Sequence, residues 1–159
     1  MKKALISLCL LLIDQLAKYA ASSSSHLFTT PSAYLLGIIS WHPTFNYGVT
    51  FSWLHHLSPY SLCILQMITV VYLYYLSPPK TAWVWLSAGA ISNILDRITY
   101  GYVVDYIALK LFGYHWPTVI NLADLYLTIG VIHWLYHTYC NSLNITGNFG
   151  SRKLQSDEV

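Results

Sequence analysis

The chain has 159 residues, of which 55% are hydrophobic and only 9% are charged. A soluble domain usually has roughly 25% charged residues, so this composition indicates a membrane protein. The formal net charge is +2 and no basic run with interleaved aromatic residues is present, which argues against nucleic-acid binding. Three cysteines lie far apart in apolar segments, so we expect neither a disulfide framework nor a zinc site.

The first apolar stretch covers residues 4–22 and follows Lys2 and Lys3. A basic start, an apolar run and small residues would also fit a cleavable signal peptide. Against that alternative, Asp14 and Lys18 are four residues apart, so a helix places them on one face as an acid–base pair. A helix of this length crosses roughly 30 Å of hydrocarbon. We therefore predict an uncleaved first transmembrane helix.

Residues 23–57 are more polar and are interrupted by prolines. Two stretches within them, Tyr34–Trp41 and Thr44–Trp53, are rich in β-prone residues. We predict a small β or amphipathic platform outside the bilayer core. Asn46 and Gly48 suit a turn in this platform, and a plain hairpin turn would be enough to explain them.

Three further apolar stretches follow the platform. Residues 58–77 form the clearest span, and residues 81–99 carry polar side chains only in their last two turns. Residues 117–139 carry Asn121 and Asp124 near their beginning. The predicted fold class is therefore a membrane all-α protein, a bundle of four transmembrane helices with the platform on one side.

Gly101 is expected to end the third helix, after which residues 102–111 form a short amphipathic or extended piece containing Asp105. We predict one domain over residues 1–140 and a polar, mobile tail over residues 141–159. Basic residues are concentrated in the loops of one side: Lys2, Lys3, Lys80, Arg152 and Lys153, against Lys110 alone on the other. The positive-inside rule then places both termini in the cytoplasm and the platform at the outer face.

Four of the six acidic residues lie in or beside apolar spans: Asp14, Asp96, Asp105 and Asp124. A charge at mid-bilayer depth costs about 2.5–3.5 kcal/mol, so each of the four needs a reason. Polar pairing between helices is the simplest one. It would explain Asp14 through Lys18. It would also explain Asp96 through its helix neighbours Asn93 and Arg97.

Asp105 and Asp124 differ because neither has a basic residue at helical spacing. Two such carboxylates held close together would resist ionising together, so one would keep its proton. This arrangement suits an aspartic hydrolase, in which one acid activates water and the other polarises a carbonyl. His133 and His137 are four residues apart and could share a metal, but no third ligand is visible, so we expect no metal or cofactor.

These residues make the chain similar to the bacterial lipoprotein signal peptidases, or type II signal peptidases, from Asp14 to about Gly130. The family pattern is D-x-x-x-K in the first helix, F-N-x-G and F-S in the outer segment, N-x-x-D-R and G-x-V-V-D around the end of the third helix, and N-x-A-D at the fourth. The matching residues here are Asp14, Lys18, Phe45, Asn46, Gly48, Phe51, Ser52, Asn93, Asp96, Arg97, Asp105, Asn121 and Asp124.

The resemblance implies that Asp105 and Asp124 are the catalytic pair of a membrane aspartic endopeptidase. Its substrates would be prolipoproteins carrying a diacylglyceryl group on a cysteine, cut before that cysteine at the outer face of the bacterial cytoplasmic (inner) membrane. The remaining matched residues would bind substrate or support the site: Asn46, Gly48, Asn93, Arg97, Asn121, Asp14, Lys18 and Asp96. Membrane lipid and cyclic peptide inhibitors such as globomycin would also bind, and we expect a monomer.

The chain departs from the family pattern at four positions. Ser92 replaces a glycine, Tyr106 and Ile120 replace phenylalanines, and Leu125 stands where a serine is common. Two other functions remain open from the residues alone. A small proton-coupled carrier or channel subunit would also hold acids in the membrane, and a non-catalytic assembly factor could be stabilised by the same polar residues.

Overall fold

The computed structural model describes residues 2–24, 38–48, 57–76, 78–111, 114–115 and 117–156. Its elements in chain order are α1 (Lys2–Ser24), β1 (Ile39–Asn46), α2 (Pro59–Tyr75), α3 (Lys80–Tyr100), β2 (Val103–Leu111), β3 (Tyr114–His115) and α4 (Leu122–Ser156). The four predicted helices are confirmed as helices.

The centre of the bundle is α3, which packs against α1, α2 and α4. Its small residues allow the close approach of its neighbours: a Cβ on Gly89 would overlap the carbonyl oxygen of Ala123 at the start of α4. Ala88 and Ala90, on either side of this glycine, are also buried. The packing of α3 on α4 therefore depends on the absence of a side chain at residue 89.

Large apolar side chains face outwards on all four helices, for example Leu16 on α1, Ile68 on α2, Ile98 on α3 and Ile132 on α4. Helices with such exposed faces are expected where lipid replaces water. Within the described part of the chain, Lys2–Ser23 is both long and apolar enough to cross a membrane, and Pro59–Tyr75 is apolar but shorter.

The predicted platform contributes β1 to a three-stranded antiparallel sheet in the order β1-β2-β3, whose other two strands follow α3. The two predicted β-prone stretches are wrong in their boundaries, because one strand, Ile39–Asn46, runs across the gap between them. Pro43 lies inside this strand at the point where the pairing with β2 shifts register. Proline has no N–H for the sheet, so a bulge is a place where it is tolerated. The rest of both stretches falls largely outside the described residues.

The predicted end of the third helix is confirmed at Gly101. This residue has a φ of 81°, the left-handed region that glycine adopts without a steric cost, and its N–H bonds the carbonyl of Arg97 at 3.1 Å. The chain then turns directly into β2, which pairs with β1 so that Asp105 faces Thr44 across the ladder. The end of α3 therefore fixes where Asp105 lies.

The fourth helix differs from its prediction at both ends. It begins at Leu122 rather than at Pro117, because Ile120 instead forms an antiparallel bridge with Ile107 of β2. It continues to Ser156, so the predicted polar tail is helical over residues 141–156. The sequence has no proline after Pro117, so no proline interrupts the helix before Ser156.

Candidate active site

A cavity of about 470 Å³ opens between α2, α3, α4 and the sheet, and both Asp105 and Asp124 line it. The structure therefore brings these two acids, predicted to act together, to one cavity. The other polar residues that line it are Asn46, Gln66, Thr69, Asn93, Arg97, Thr118 and Thr128.

Asp105 is held by an amide on each of its carboxylate oxygens. Asn46, at the end of β1, donates from Nδ2 to Oδ2 at 3.0 Å. Asn121, just before α4, donates from Nδ2 to Oδ1 at 2.7 Å. The side chain of Asp105 is almost completely buried. Its orientation is thus set from both sides of β2.

Asp124 is the third residue of α4 and belongs to a capping box. Asn121 accepts the Asp124 N–H on its Oδ1 at 2.9 Å, and Asp124 Oδ2 accepts the Asn121 N–H at 3.3 Å. The other oxygen, Oδ1, accepts from Nδ2 of Asn93 at 2.9 Å. Asn121 therefore both caps the helix that carries one acid and binds the other.

Burial is the main cause that raises the pKa of Asp105 to about 7, and the nearby charge of Asp124 raises it further. The hydrogen bonds from Asn46 and Asn121 act in the opposite direction and favour the ionised form. Among the described residues the ion pairs both involve Lys18 with other acids, so neither carboxylate of the cavity has a cation in direct contact. This agrees with the absence of a basic partner in the sequence.

Arg97 joins the platform to the helices beside the cavity. Its Nη2 donates to the carbonyl of Gly48 at 3.0 Å and its Nη1 donates to Oε1 of Gln66 at 2.8 Å. Gly48 in turn donates its N–H to Oδ1 of Asn46 at 2.9 Å, which confirms a turn at these residues. Whether a hairpin continues from it falls outside the described residues. Gln66 was not identified as a site residue in the sequence analysis. Its position as the strongly polar residue of an otherwise apolar span could have indicated that role.

The predicted pairing of Asp14 with Lys18 is confirmed at 2.9 Å. The predicted partners of Asp96 are wrong. Its Oδ2 lies 2.9 Å from Lys18 Nζ and accepts the N–H of Val104 at 3.1 Å, while Oδ1 accepts from Gln15 at 2.9 Å. The reason is that Asp96 faces α1 and β2, the elements that carry these partners.

The residues expected to pair with Asp96 have other roles. Arg97 contacts Gln66 of α2 and Gly48, as described above. Asn93 contacts Asp124 through Nδ2 and accepts from Lys18 on Oδ1 at 2.8 Å. Asn93, Asp96 and Arg97 of α3 therefore contact different sets of partners, which helical spacing alone does not predict.

Asp14 links α1 to three other elements, α3, β2 and α4. It accepts from Ser92 Oγ of α3 at 2.5 Å, from the Tyr106 hydroxyl of β2 at 3.2 Å and from the N–H of Ala123 in α4 at 3.1 Å. Ser92 and Tyr106 are two of the positions where this chain departs from the family pattern. Sequence reasoning noted both departures but did not identify the contact that they share.

The two histidines considered for a metal have separate hydrogen-bond partners. His133 bonds Thr81 through Nε2 at 2.9 Å, and His137 bonds Asn141 through Nδ1 at 3.3 Å. Within the described residues, no group of three or more potential metal ligands is found together.

Comparisons with known proteins agree on one family. Residues 6–140 match the family described as signal peptidase (SPase) II. The chain is 35% identical over 143 residues to the lipoprotein signal peptidase of Allorhizobium ampelinum, covering 79% of this chain and 80% of the relative. It is 33% identical over 147 residues to that of Acinetobacter baylyi, covering 84% and 79%.

Two solved structures have the same fold. Both are described as bacterial membrane enzymes determined by the in meso method, one at 2.3 Å and the other at 1.9 Å resolution. The first has a TM-score of 0.70 and 26% identity and covers 90% of both chains. The second has a TM-score of 0.65 and 27% identity and covers 86% of this chain and 92% of its own. The chain therefore belongs to the signal peptidase II family.

Proposed function

We propose that the chain is an aspartic endopeptidase that removes signal peptides from diacylglyceryl-modified prolipoproteins, cutting before the lipidated cysteine. Its family supports a peptidase rather than a carrier or an assembly factor. The observation that carries the aspartic mechanism is that Asp105 and Asp124 line one cavity and are joined through Asn121. Asp105 and Asp124 are the proposed catalytic residues.

Asp124 is the ionised member of the pair in this mechanism. Like Asp105, it accepts two N–H donors, here from Asn93 and from the backbone of Asn121. Unlike Asp105, it lies in the first turn of α4, where the helix dipole favours a negative charge. Asp105 is the protonated member, in keeping with a pKa raised to about 7. Two nearby acids of this kind are expected to share one proton.

The reaction then follows from these protonation states. Asp124 removes a proton from water, whose oxygen forms a bond to the carbonyl carbon of the scissile peptide, while Asp105 donates a hydrogen bond to the carbonyl oxygen. The tetrahedral species collapses with cleavage of its C–N bond. Proton transfer from Asp124 to the leaving amine returns the pair to its starting state.

The cavity walls suit a substrate that has both a lipid and a peptide part. One wall consists of aliphatic side chains of α2 and α4, among them Leu65, Leu73 and Leu127. The cavity is also lined by Asp105 and Asn46 of the sheet and by Asn93 and Asp124. Acyl chains would contact the aliphatic side chains while the peptide lies along these polar ones, and anchoring in the bilayer would supply proximity. Asn46, Gly48, Asn93, Arg97 and Asn121 are proposed to line or support this peptide site.

All four helices are proposed to span the inner membrane, with both termini in the cytoplasm and the site near the outer face. A helix as long as α4, with 35 residues, extends about 52 Å, well beyond a hydrocarbon core of roughly 30 Å. Its second half would therefore leave the bilayer on the side that carries Arg152 and Lys153. Residues 1–140 form the proposed peptidase domain, acting as a monomer.

A cleavage assay tests the function. Protein purified in detergent is incubated with a diacylglyceryl-modified precursor peptide, and cleavage is followed by a gel shift with and without globomycin. We expect cleavage by the wild type, inhibition by globomycin, and none by Asp105→Asn or Asp124→Asn. Asp157→Asn, which changes an acid far along the sequence, is the control and should remain active. Cleavage retained by either site variant would reject the assignment.

A further inference from the structure

The side-chain amide of Asn93 has both of its ends in use. Its Oδ1 accepts from Lys18 Nζ at 2.8 Å and from Asn121 Nδ2 at 3.3 Å, and its Nδ2 donates to Asp124 Oδ1 at 2.9 Å. A reversed amide would place its NH₂ against two donors and its oxygen against a carboxylate. Lys18 and Asn121 therefore determine which end of Asn93 faces Asp124.

Lys18 is itself held in one position. It is buried, and its ammonium lies 2.9 Å from Asp14 and 2.9 Å from Asp96. An ammonium has three N–H donors, and these two acids together with Asn93 account for all three at short distances. Because the two carboxylates fix its position, the N–H that points to Asn93 cannot easily turn away.

We propose that Lys18 is a positioning residue for the peptidase reaction, acting through Asn93 to keep an N–H donor on Asp124. This inference rests on the proposed role of Asp124. The buried ion pairs of Lys18 with Asp14 and Asp96 would then contribute to the reaction as well as hold α1 against α3. A loss of Lys18 would release the Asn93 amide and with it one of the contacts that orient the carboxylate.

Substitution of Gln15, on the same helix, is the matched control that distinguishes a purely structural role of Lys18 from a positioning role. Gln15 lies one turn before Lys18 and contacts the same α3 groups, donating to Asp96 at 2.9 Å and to Ser92 Oγ at 2.8 Å. It has no hydrogen bond with Asn93 or Asp124. Gln15→Leu should therefore lower the melting temperature while leaving kcat unchanged.

The experiment measures kcat, KM and thermal unfolding in detergent with the lipidated precursor peptide. Lys18→Met is expected to lower kcat by roughly 100-fold with little change in KM, since a small misplacement of a catalytic group costs about that much. Lys18→Arg should restore part of the rate because a guanidinium can still donate to Asn93. Asn93→Leu should cause a similar loss, and combining it with Lys18→Met should cause no further loss.

Lys18→Met leaves Asp14 and Asp96 without a cation and could fail to fold. Lys18→Met combined with Asp96→Asn removes one of these charges and is compared with Asp96→Asn alone, and kcat should again differ by roughly 100-fold. Equal kcat in that pair, or losses that multiply in Lys18→Met/Asn93→Leu, would overturn the inference while the wild type still cleaves. Failure of the wild type to cleave would overturn the proposed function as well.

Discussion

Asn121 and Asp105 are joined by a 2.7 Å hydrogen bond from Nδ2 to Oδ1 at the point where α4 meets β2. The same asparagine caps α4 and exchanges backbone and side-chain hydrogen bonds with Asp124. One residue earlier, Ile120 bridges Ile107 of β2. The relative position of the two acids is thus set by one short segment of the chain.

Substitution of Asn121 should separate capping from catalysis. Ser keeps the oxygen that caps α4 but is too short to reach Asp105, whereas Ala loses both contacts. We expect Asn121→Ser to be about 1 kcal/mol more stable than Asn121→Ala, since that is the usual contribution of a cap. Both should lose most of their activity because Asp105 loses a hydrogen bond that orients it. Thermal unfolding and kcat measure the two effects, and an Asn121→Ser rate within about twofold of wild type would contradict the role of the Asp105 contact.

The rate should fall at high pH if Asp105 must be protonated. Burial and the charge of Asp124 raise its pKa to about 7, so the proton is present below that pH and is lost above it. We expect kcat/KM, whose pH dependence reports the free enzyme, to decrease with a limb near pH 7 and to fall roughly tenfold for each further pH unit. A profile of kcat/KM against pH with the lipidated peptide kept below its KM tests this. A rate that keeps rising above that pH would contradict Asp105 as the protonated member of the pair.

Asp105 should also make the fold less stable at high pH. Its pKa is raised from the ordinary aspartate value of 3.8 to about 7, so its favourable contribution is fully present below about pH 3.8 and is lost as the pH rises through about 7. Asp105→Asn cannot ionise. Between about pH 5.5 and about pH 8.5 the variant should therefore gain about 2 kcal/mol in unfolding free energy relative to wild type. Unfolding curves at both pH values measure this difference, and no relative gain would show that Asp105 ionises at no cost.

The helices and the meeting of the two acids in one cavity could be predicted from the sequence because each has a local signal. Apolar length marked the helices, and the absence of a cation singled out Asp105 and Asp124. The partners of Asp96 could not be predicted, because spacing within α3 places residues on a face but does not say which neighbour that face meets. It meets Lys18 of α1.

The start of α4 had a signal that we did not use. Asn121 followed three residues later by Asp124 is the pattern of a capping box, which marks a helix start more directly than Pro117 does. The course of β1 had no such signal. Pro43 suggested a break between two stretches, and only the register shift opposite β2 shows how the strand accommodates it.

The hydroxyl groups of Ser92 and Tyr106, which donate hydrogen bonds to the Asp14 carboxylate, should contribute to stability rather than to activity. Tyr106 donates to Asp14 and accepts the N–H of Leu122 at 3.3 Å, and burial raises the pKa of this phenol, so it keeps its proton. We expect Tyr106→Phe and Ser92→Gly each to lower the unfolding free energy by about 1–3 kcal/mol, since each removes a partner from a buried carboxylate. Cleavage should continue, because glycine and phenylalanine are the residues in the family pattern. Loss of cleavage at unchanged stability in either variant would contradict this.

The contact between α3 and α4 should be more sensitive to a single methyl group than the turn after α3. On Gly89 an added Cβ would overlap the carbonyl oxygen of Ala123 and lie 2.8 Å from Leu127 Cγ, so α4 must shift. On Gly101 it would lie no nearer than 3.7 Å to Pro59, and its cost of about 1 kcal/mol would come from the left-handed backbone alone.

We therefore expect Gly89→Ala to lower the unfolding free energy by about 1–3 kcal/mol and to lower kcat as well, because Ala123 precedes Asp124 and any shift at this contact moves the acid. Gly101→Ala should lose stability while most of its kcat remains. Thermal unfolding and kcat of the two variants in one detergent give the comparison. Equal effects on kcat would mean that the distance between α3 and α4 does not control the geometry of the two acids.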